Sequence, residues 1–277
     1  NANSAHIFDL NPGPTYSTVT RDLEDLVDPG GFLDDWTING THFKVSSSLP
    51  ARLDRAEAWT GWFDDNPLRP TNPNPCFTEE MIYHHLTQAR KKVLGWGATA
   101  DMARHDPLYF NHWVIPNCRQ FNANSEEEIR CLAAATNQAW FNPGDLSLNF
   151  AAQNPAFNGR HPGYDATVIC HEYGHFVHKL LSEHWMLGAA SLPEWKESIA
   201  VTEAFADVFS GTVLDTSKIA EWLASSVQVR GRSSQNMSRN LETMKTVAEA
   251  SAGAEPDPHD MAAGLSTAVW KLRRDNT

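Results

Sequence analysis

The chain has 277 residues, of which 20% are charged and 41% apolar, and its formal net charge is −12. That length can bury a core in one large domain or two lobes, and the composition is globular rather than disordered. The acidic balance argues against a nucleic-acid backbone as partner, and no apolar run approaches the ~20 residues of a membrane-spanning helix.

Residues 1–75 are rich in Asn, Pro, Gly, Ser and Asp, with short apolar runs at Phe32-Leu33 and His42-Phe43-Lys44-Val45. Short strands and long loops are expected there. The chain opens at Asn1 without Met or a signal-peptide pattern, which predicts a trimmed, mature product. Four prolines between Asn66 and Pro75 predict an extended arm and forbid a helix.

The pattern turns helical at Thr78, read as an N-cap with Glu79 and Glu80 in the first turn, where the helix dipole favours acids. Met81, Ile82, His85, Leu86, Ala89, Val93 and Leu94 recur at helical spacing, and Gly95 or Gly97 ends the run. His84 and His85 are adjacent, so they face different ways and are expected as surface or satisfied core residues rather than ligands. His112 to Pro116 reads as a strand stopped by proline, and Ser125 with Glu126–Glu128 as the start of a short helix. Asn137 to Phe141 and Leu146 to Phe150, separated by Asn142-Pro143-Gly144, predict a strand, a turn and a second strand.

Asp165 opens the main helix. Val168, Ile169, Phe176, Val177, Leu180 and Leu181 give it apolar residues on more than one face, around a polar stripe of His171, His175 and His178. His171-Glu172-Tyr173-Gly174-His175 is an H-E-x-x-H pattern. On a helix its two imidazoles lie one turn apart on the same face and can converge on one Zn²⁺. Bare histidines in an apolar helix are costly unless something binds them. A second largely apolar helix is predicted from Pro193 to Leu214, with Glu203 and Asp207 four residues apart on one face. Buried carboxylates need a cation or donors.

Helix-like segments are predicted at 219–229 and 241–252, around a loop at 230–238; Pro256 to Asp260 forms a tight turn before a closing helix from Met261 to Arg274. Arg230, Arg232 and Arg239 are expected as solvated loop charge, with binding of a substrate carbonyl or carboxylate as the alternative. The cysteines Cys76, Cys118, Cys131 and Cys170 include no C-x-x-C pair, so a cysteine zinc site is disfavoured. Three full pairings exist; Cys118 and Cys131 are the first candidates, and Cys170 reads as a buried thiol. Sequons at Asn39 and Asn236 agree with secretion.

A catalytic zinc takes three protein ligands and keeps one position open. A third histidine in the H-E-x-x-H-x-x-G-x-x-H form is excluded, because His178 and Leu181 stand at its glycine and histidine positions. A glutamate on the next helix is the other solution, and Glu203 lies 28 residues beyond His175. With Thr202-Glu203-Ala204-Phe205-Ala206-Asp207, the chain resembles the gluzincin zinc metallopeptidases of the thermolysin and fungalysin type.

The resemblance, running from about Phe77 to Arg274, implies an α+β, two-lobed zincin-like fold: a mixed-sheet lobe, a mainly helical lobe and the metal helix at their seam. Its segments would be 1–75, a strand- and loop-rich N-terminal part; 76–164, the α/β part of the peptidase lobe; and 165–277, a helical lobe carrying the site. Only 18 residues follow His259, where the family usually carries a longer helical lobe, so the resemblance implies a lobe that is either truncated or reduced. One catalytic Zn²⁺ would be held by His171, His175 and Glu203, with Asp207 orienting a histidine. Glu172 would be the general base for a metal-activated water, and His259 would stabilise the oxyanion. Asn137 and Ala139 match the family's substrate-binding edge strand, with Gln138 inserted between them. The family's oxyanion tyrosine has no counterpart near Pro193-Glu194-Trp195-Lys196. Calcium stays open as a second ion, with no motif in the sequence to support it. The implied substrate is a protein or peptide cleaved outside the cell, and the lack of a G-x-M-x-N segment favours endopeptidase over aminopeptidase action. A catalytically inactive, zinc-stabilised binding domain of the same fold is the alternative. Oligomeric state is not set by the sequence.

Overall fold

The computed structural model describes residues 4–10, 19–26, 40–45, 75–98, 102, 104–114, 138–151, 161–182, 192–224, 238–243 and 258–276. Within these the protein is α+β, with one four-stranded mixed sheet, two small two-stranded sheets and several helices. Among the described residues no helix is long and apolar enough to cross a membrane.

The chain begins with an antiparallel pair, β1 (Ser4–Ile7) and β2 (Val19–Asp22). The segment after β1 straps two helices. Phe8 packs edge-on against Phe77 at 5.1 Å and Tyr164 at 6.5 Å, and the backbone N–H of Ala166 donates to Leu10 O at 2.8 Å. β3 (Phe43–Val45) joins the main sheet, whose order is β3-β4-β6-β5, with β4 spanning Leu108–Val114, β5 Ala139–Asn142 and β6 Ser147–Ala151. β3, β4 and β6 run parallel, while β5 pairs antiparallel with β6 and forms one edge. Alternation along the strands puts Phe43, Phe110, Leu148 and Phe150 in the core.

The helix α1 covers Pro75–Gly95. It starts before the expected cap because proline is pre-set for a first helical position and its missing N–H costs nothing there. Thr78, Glu79 and Glu80 therefore lie inside the helix, where they are buried, rather than forming its cap and acidic first turn. Both histidines of α1 are buried as well. The His85 imidazole Nε2 lies 3.0 Å from Phe8 O, and burial, with His84 beside it, lowers its pKa to about 3.

A single 3₁₀ turn, Pro162–Tyr164, leads into α2 (Ala166–Leu181). Asp165 caps α2: its Oδ1 accepts from Thr167 N at 3.0 Å and from Thr167 Oγ1 at 2.6 Å. Every residue from Ala166 to Val177 is buried. α2 touches α1, β5 and the 3₁₀ turn, and also α3 (Leu192–Leu214), so it joins the sheet-bearing part to the helical part. A further tie comes from Ser210, whose Oγ donates to Thr167 O at 2.7 Å.

Beyond α3, β7 (Lys218–Ile219) pairs antiparallel with β8 (Arg239–Asn240), and α4 (Glu221–Ala224) follows β7 directly. The helix expected from Ile219 thus begins as a strand, and its part beyond 224 lies outside the described residues. The segment expected as a helix from Leu241 opens as a turn through Thr243, with the rest undescribed. The closing helix α5 runs Pro258–Asp275, again taking proline at its start, so His259 stands in the first turn of a helix rather than in a tight turn. α5 packs on α3, where a Cβ on Gly211 would come within 3.0 Å of the Trp270 ring. Cys170 is a buried free thiol, as expected; Cys118 and Cys131 lie outside the described residues, as does the helix expected after Ser125.

Gly174, inside the H-E-x-x-H pattern, marks a close approach of α2 and α3. A Cβ there would stand 3.0 Å from Ala206 Cα and 3.1 Å from Phe209 Cδ1. Gly174→Ala should lower the urea midpoint. Overpacking against helix backbone costs about 1–3 kcal/mol, more than the ~1 kcal/mol that alanine gains in helix propensity. An unchanged or raised midpoint would show that the two helices are not held by this contact.

Candidate metal centre

Helical spacing sets the centre on both sides. His171 and His175 stand one turn apart on α2, Glu203 and Asp207 one turn apart on α3, and close packing at Gly174 brings the two faces together. The His171 Nε2 is 3.1 Å from His175 Nε2 and 3.1 Å from Glu203 Oε2, and His175 Nε2 is 3.5 Å from Glu203 Oε1. All three residues offer a ligand atom within 4.8 Å of the others. Around an ion with bonds of about 2.0–2.2 Å, tetrahedral donors stand roughly 3.3–3.6 Å apart, and the spacings here are close to that, with each histidine facing a different oxygen of Glu203. His84 and His85 are not part of it.

A second layer fixes the histidine. The Asp207 carboxylate, fully buried, accepts from His171 Nδ1 at 2.9 Å. It also receives a two-pronged contact from Arg239, Nε to Oδ2 at 2.6 Å and Nη2 to Oδ1 at 2.7 Å. With Nδ1–H held by Asp207, the lone pair of a neutral His171 sits on Nε2, facing Glu203 and His175. Arg239 is a correction to the expected solvated charge. It belongs to β8, its side chain is 14% exposed, and it neutralises a carboxylate that could not otherwise be buried.

The electrostatics favour positive charge at the cluster. Burial alone would lower the His171 pKa, but hydrogen bonds to Asp207 and Glu203 outweigh it and lift it to about 9. Burial would raise Glu203, yet His175, His171 and His259 hold it well below the usual carboxylate range. Asp207, pushed up by burial, is drawn down to about 2 by Arg239 and His171. Glu172 is 5% exposed on the same helix. Burial raises its pKa, and its charge couples to His171, His175, Glu203 and His259. Three carboxylates thus face one guanidinium, and a pocket that attracts a proton this strongly attracts a cation for the same reason.

Of the other expected residues, His259 is on the rim. Its side chain is 40% exposed, and its Nε2 lies 3.1 Å from Glu203 Oε2. Ala139 begins β5, the sheet edge, half-buried and paired with Phe150, while Asn137 lies outside the described residues. His178 stacks on Phe205 at 4.7 Å, a packing role consistent with leaving it out of the ligand set. Arg239 is the residue that sequence reasoning missed. A buried Asp207 demanded a partner, but nothing local distinguished Arg239 from Arg230 or Arg232.

No protein-family model matches the chain, and no curated protein matches it in sequence.

An aspartate at about 2 against an ordinary 3.8 stabilises the fold while ionised. Its contribution is complete above about pH 4 and is lost as pH falls through about 2. Urea midpoints of chelator-treated protein should therefore drop more steeply with acid in the wild type than in Asp207→Asn. Parallel curves would mean that Asp207 is not held by Arg239 and His171 in solution.

Proposed function

We propose that this protein is a zinc-dependent peptidase of the gluzincin type, acting as a secreted endopeptidase on protein or peptide substrates. The reading includes a two-lobed zincin-like arrangement, with α2 at the seam between the sheet-bearing and helical parts. The observation that carries it is the convergence of His171, His175 and Glu203, with the two Nε2 atoms 3.1 Å apart and each facing a Glu203 oxygen at 3.1 or 3.5 Å, beside the buried Glu172 of α2. The donor set suits zinc: two imidazole nitrogens and one carboxylate oxygen, with the His171 tautomer fixed by Asp207.

In this reading His171 Nε2, His175 Nε2 and the Glu203 carboxylate hold the ion. When bound, zinc supplies a Lewis acid that polarises a carbonyl and acidifies a water molecule. Asp207 and Arg239 keep the His171 ring oriented, so Nε2 meets the ion without reorganisation. Glu172 takes the proton of the attacking water on its carboxylate and delivers it to the departing amine. Burial suits it to both halves of that transfer, because a carboxyl raised from its ordinary range holds a proton more readily near neutral pH. The edge strand β5 offers its outer backbone N–H and C=O groups to an extended peptide, which would lie along the sheet as an added strand.

Glu172→Gln tests the reading. The variant should bind zinc as the wild type does but hydrolyse casein about 10²–10⁴-fold more slowly, the span of a lost general base. Equal hydrolysis by the two, or none by the zinc-loaded wild type, would remove the catalytic assignment.

A further inference from the structure

The helix α5 is anchored to α3 well away from the metal centre. Trp270 is buried, its Nε1 donates to Glu242 Oε1 at 2.9 Å, and its ring packs over Gly211 of α3. Ala262, Ser266 and Thr267 continue the buried face towards the N-terminus of α5. That docking carries the first turn of α5 to the rim of the centre, where His259 Nε2 stands 3.1 Å from Glu203 Oε2.

Glu203 needs such a contact. Its carboxylate ends a flexible side chain and turns one oxygen to His171 and the other to His175. Asp207 fixes the His171 ring from α3, and Arg239 fixes Asp207. His259 is the corresponding group for Glu203, reaching it from a third helix. It is not itself among the donors that lie within 4.8 Å of one another, so it sits against a candidate ligand rather than in the ligand set. The role implied by the family resemblance is different: a hydrogen bond to the oxyanion. An Nε2–H donated to Glu203 is not available to an oxyanion at the same time.

We propose that His259 is a positioning residue for the metal. Its Nε2–H donates to Glu203 Oε2, holds the carboxylate in the orientation shared with His171 and His175, and thereby links the docking of α5 to metal affinity. This rests on the metal reading given above. Loss of a group that orients a ligand typically weakens metal binding about 10–100-fold.

The test is competition between the full chain and a chromophoric chelator for Zn²⁺, run on wild type, His259→Ala and His259→Gln, with peptide hydrolysis measured at saturating zinc. The glutamine amide puts an N–H donor near the position of the imidazole Nε2. His259→Ala should bind zinc about 10–100-fold more weakly, and His259→Gln should recover most of that loss. A merely structural role for the side chain would not be restored by one N–H donor. Unchanged zinc affinity in His259→Ala, with hydrolysis alone reduced, would overturn the proposal in favour of a role at the oxyanion. Equal weakening in both variants would overturn it too. A wild type that takes up no zinc would instead bring down the metal reading itself.

Discussion

The contact on which the centre depends is the clamp on Asp207. A fully buried carboxylate is tolerated in an apolar helix only when charge and hydrogen bonds replace the lost water. Here Arg239 from β8 grips both oxygens and His171 takes one of them. The clamp joins α3, the short β7–β8 pair and α2 at one point, and it closes around the histidine that heads the candidate metal cluster. Gly174 completes the arrangement from the packing side: with no side chain between them, α2 and α3 approach closely enough for one helix's histidines to meet the other's carboxylates.

From that contact the rest follows in layers. α2 is buried through its first twelve residues and links the sheet to the helices. β5, at the open end of the sheet order, is carried beside it through Phe141, whose ring lies 6.1 Å from Phe176 of α2. α5 closes the helical side and brings His259 to the rim. Positive charge is welcome at the cluster and costly elsewhere in the core, as the opposite shifts of His171 and His85 illustrate. Both rings are buried, but His171 meets two carboxylates at hydrogen-bond distance while His85 meets the Phe8 carbonyl, and of the two only His171 is raised.

Much of this was legible locally. The Asp165 cap, the apolar periodicity and the four-residue spacings of His171/His175 and Glu203/Asp207 depend on neighbours along one helix, so they can be read from a short window. The β5–β6 hairpin was legible for the same reason: Asn142-Pro143-Gly144 is a turn wherever it stands. What escaped depends on distant partners. The choice between surface and core for His84 and His85, left open by the sequence, is settled by the N-terminal strap more than 70 residues away, with Phe8 O accepting from His85. The Arg239–Asp207 pair spans 32 residues and leaves no period in the sequence. The starts of α1 and α5 were set late because Thr78 and Met261 look like beginnings, while Pro75 and Pro258 act as them.

Zinc K-edge X-ray absorption on the purified protein examines the central claim at the atoms concerned. The arrangement predicts one zinc per chain with two imidazole nitrogens and a carboxylate oxygen at about 2.0–2.2 Å, and loss of one imidazole contribution in His175→Ala. An absence of zinc, a sulfur shell at about 2.3 Å, or a spectrum unmoved by that substitution would contradict it.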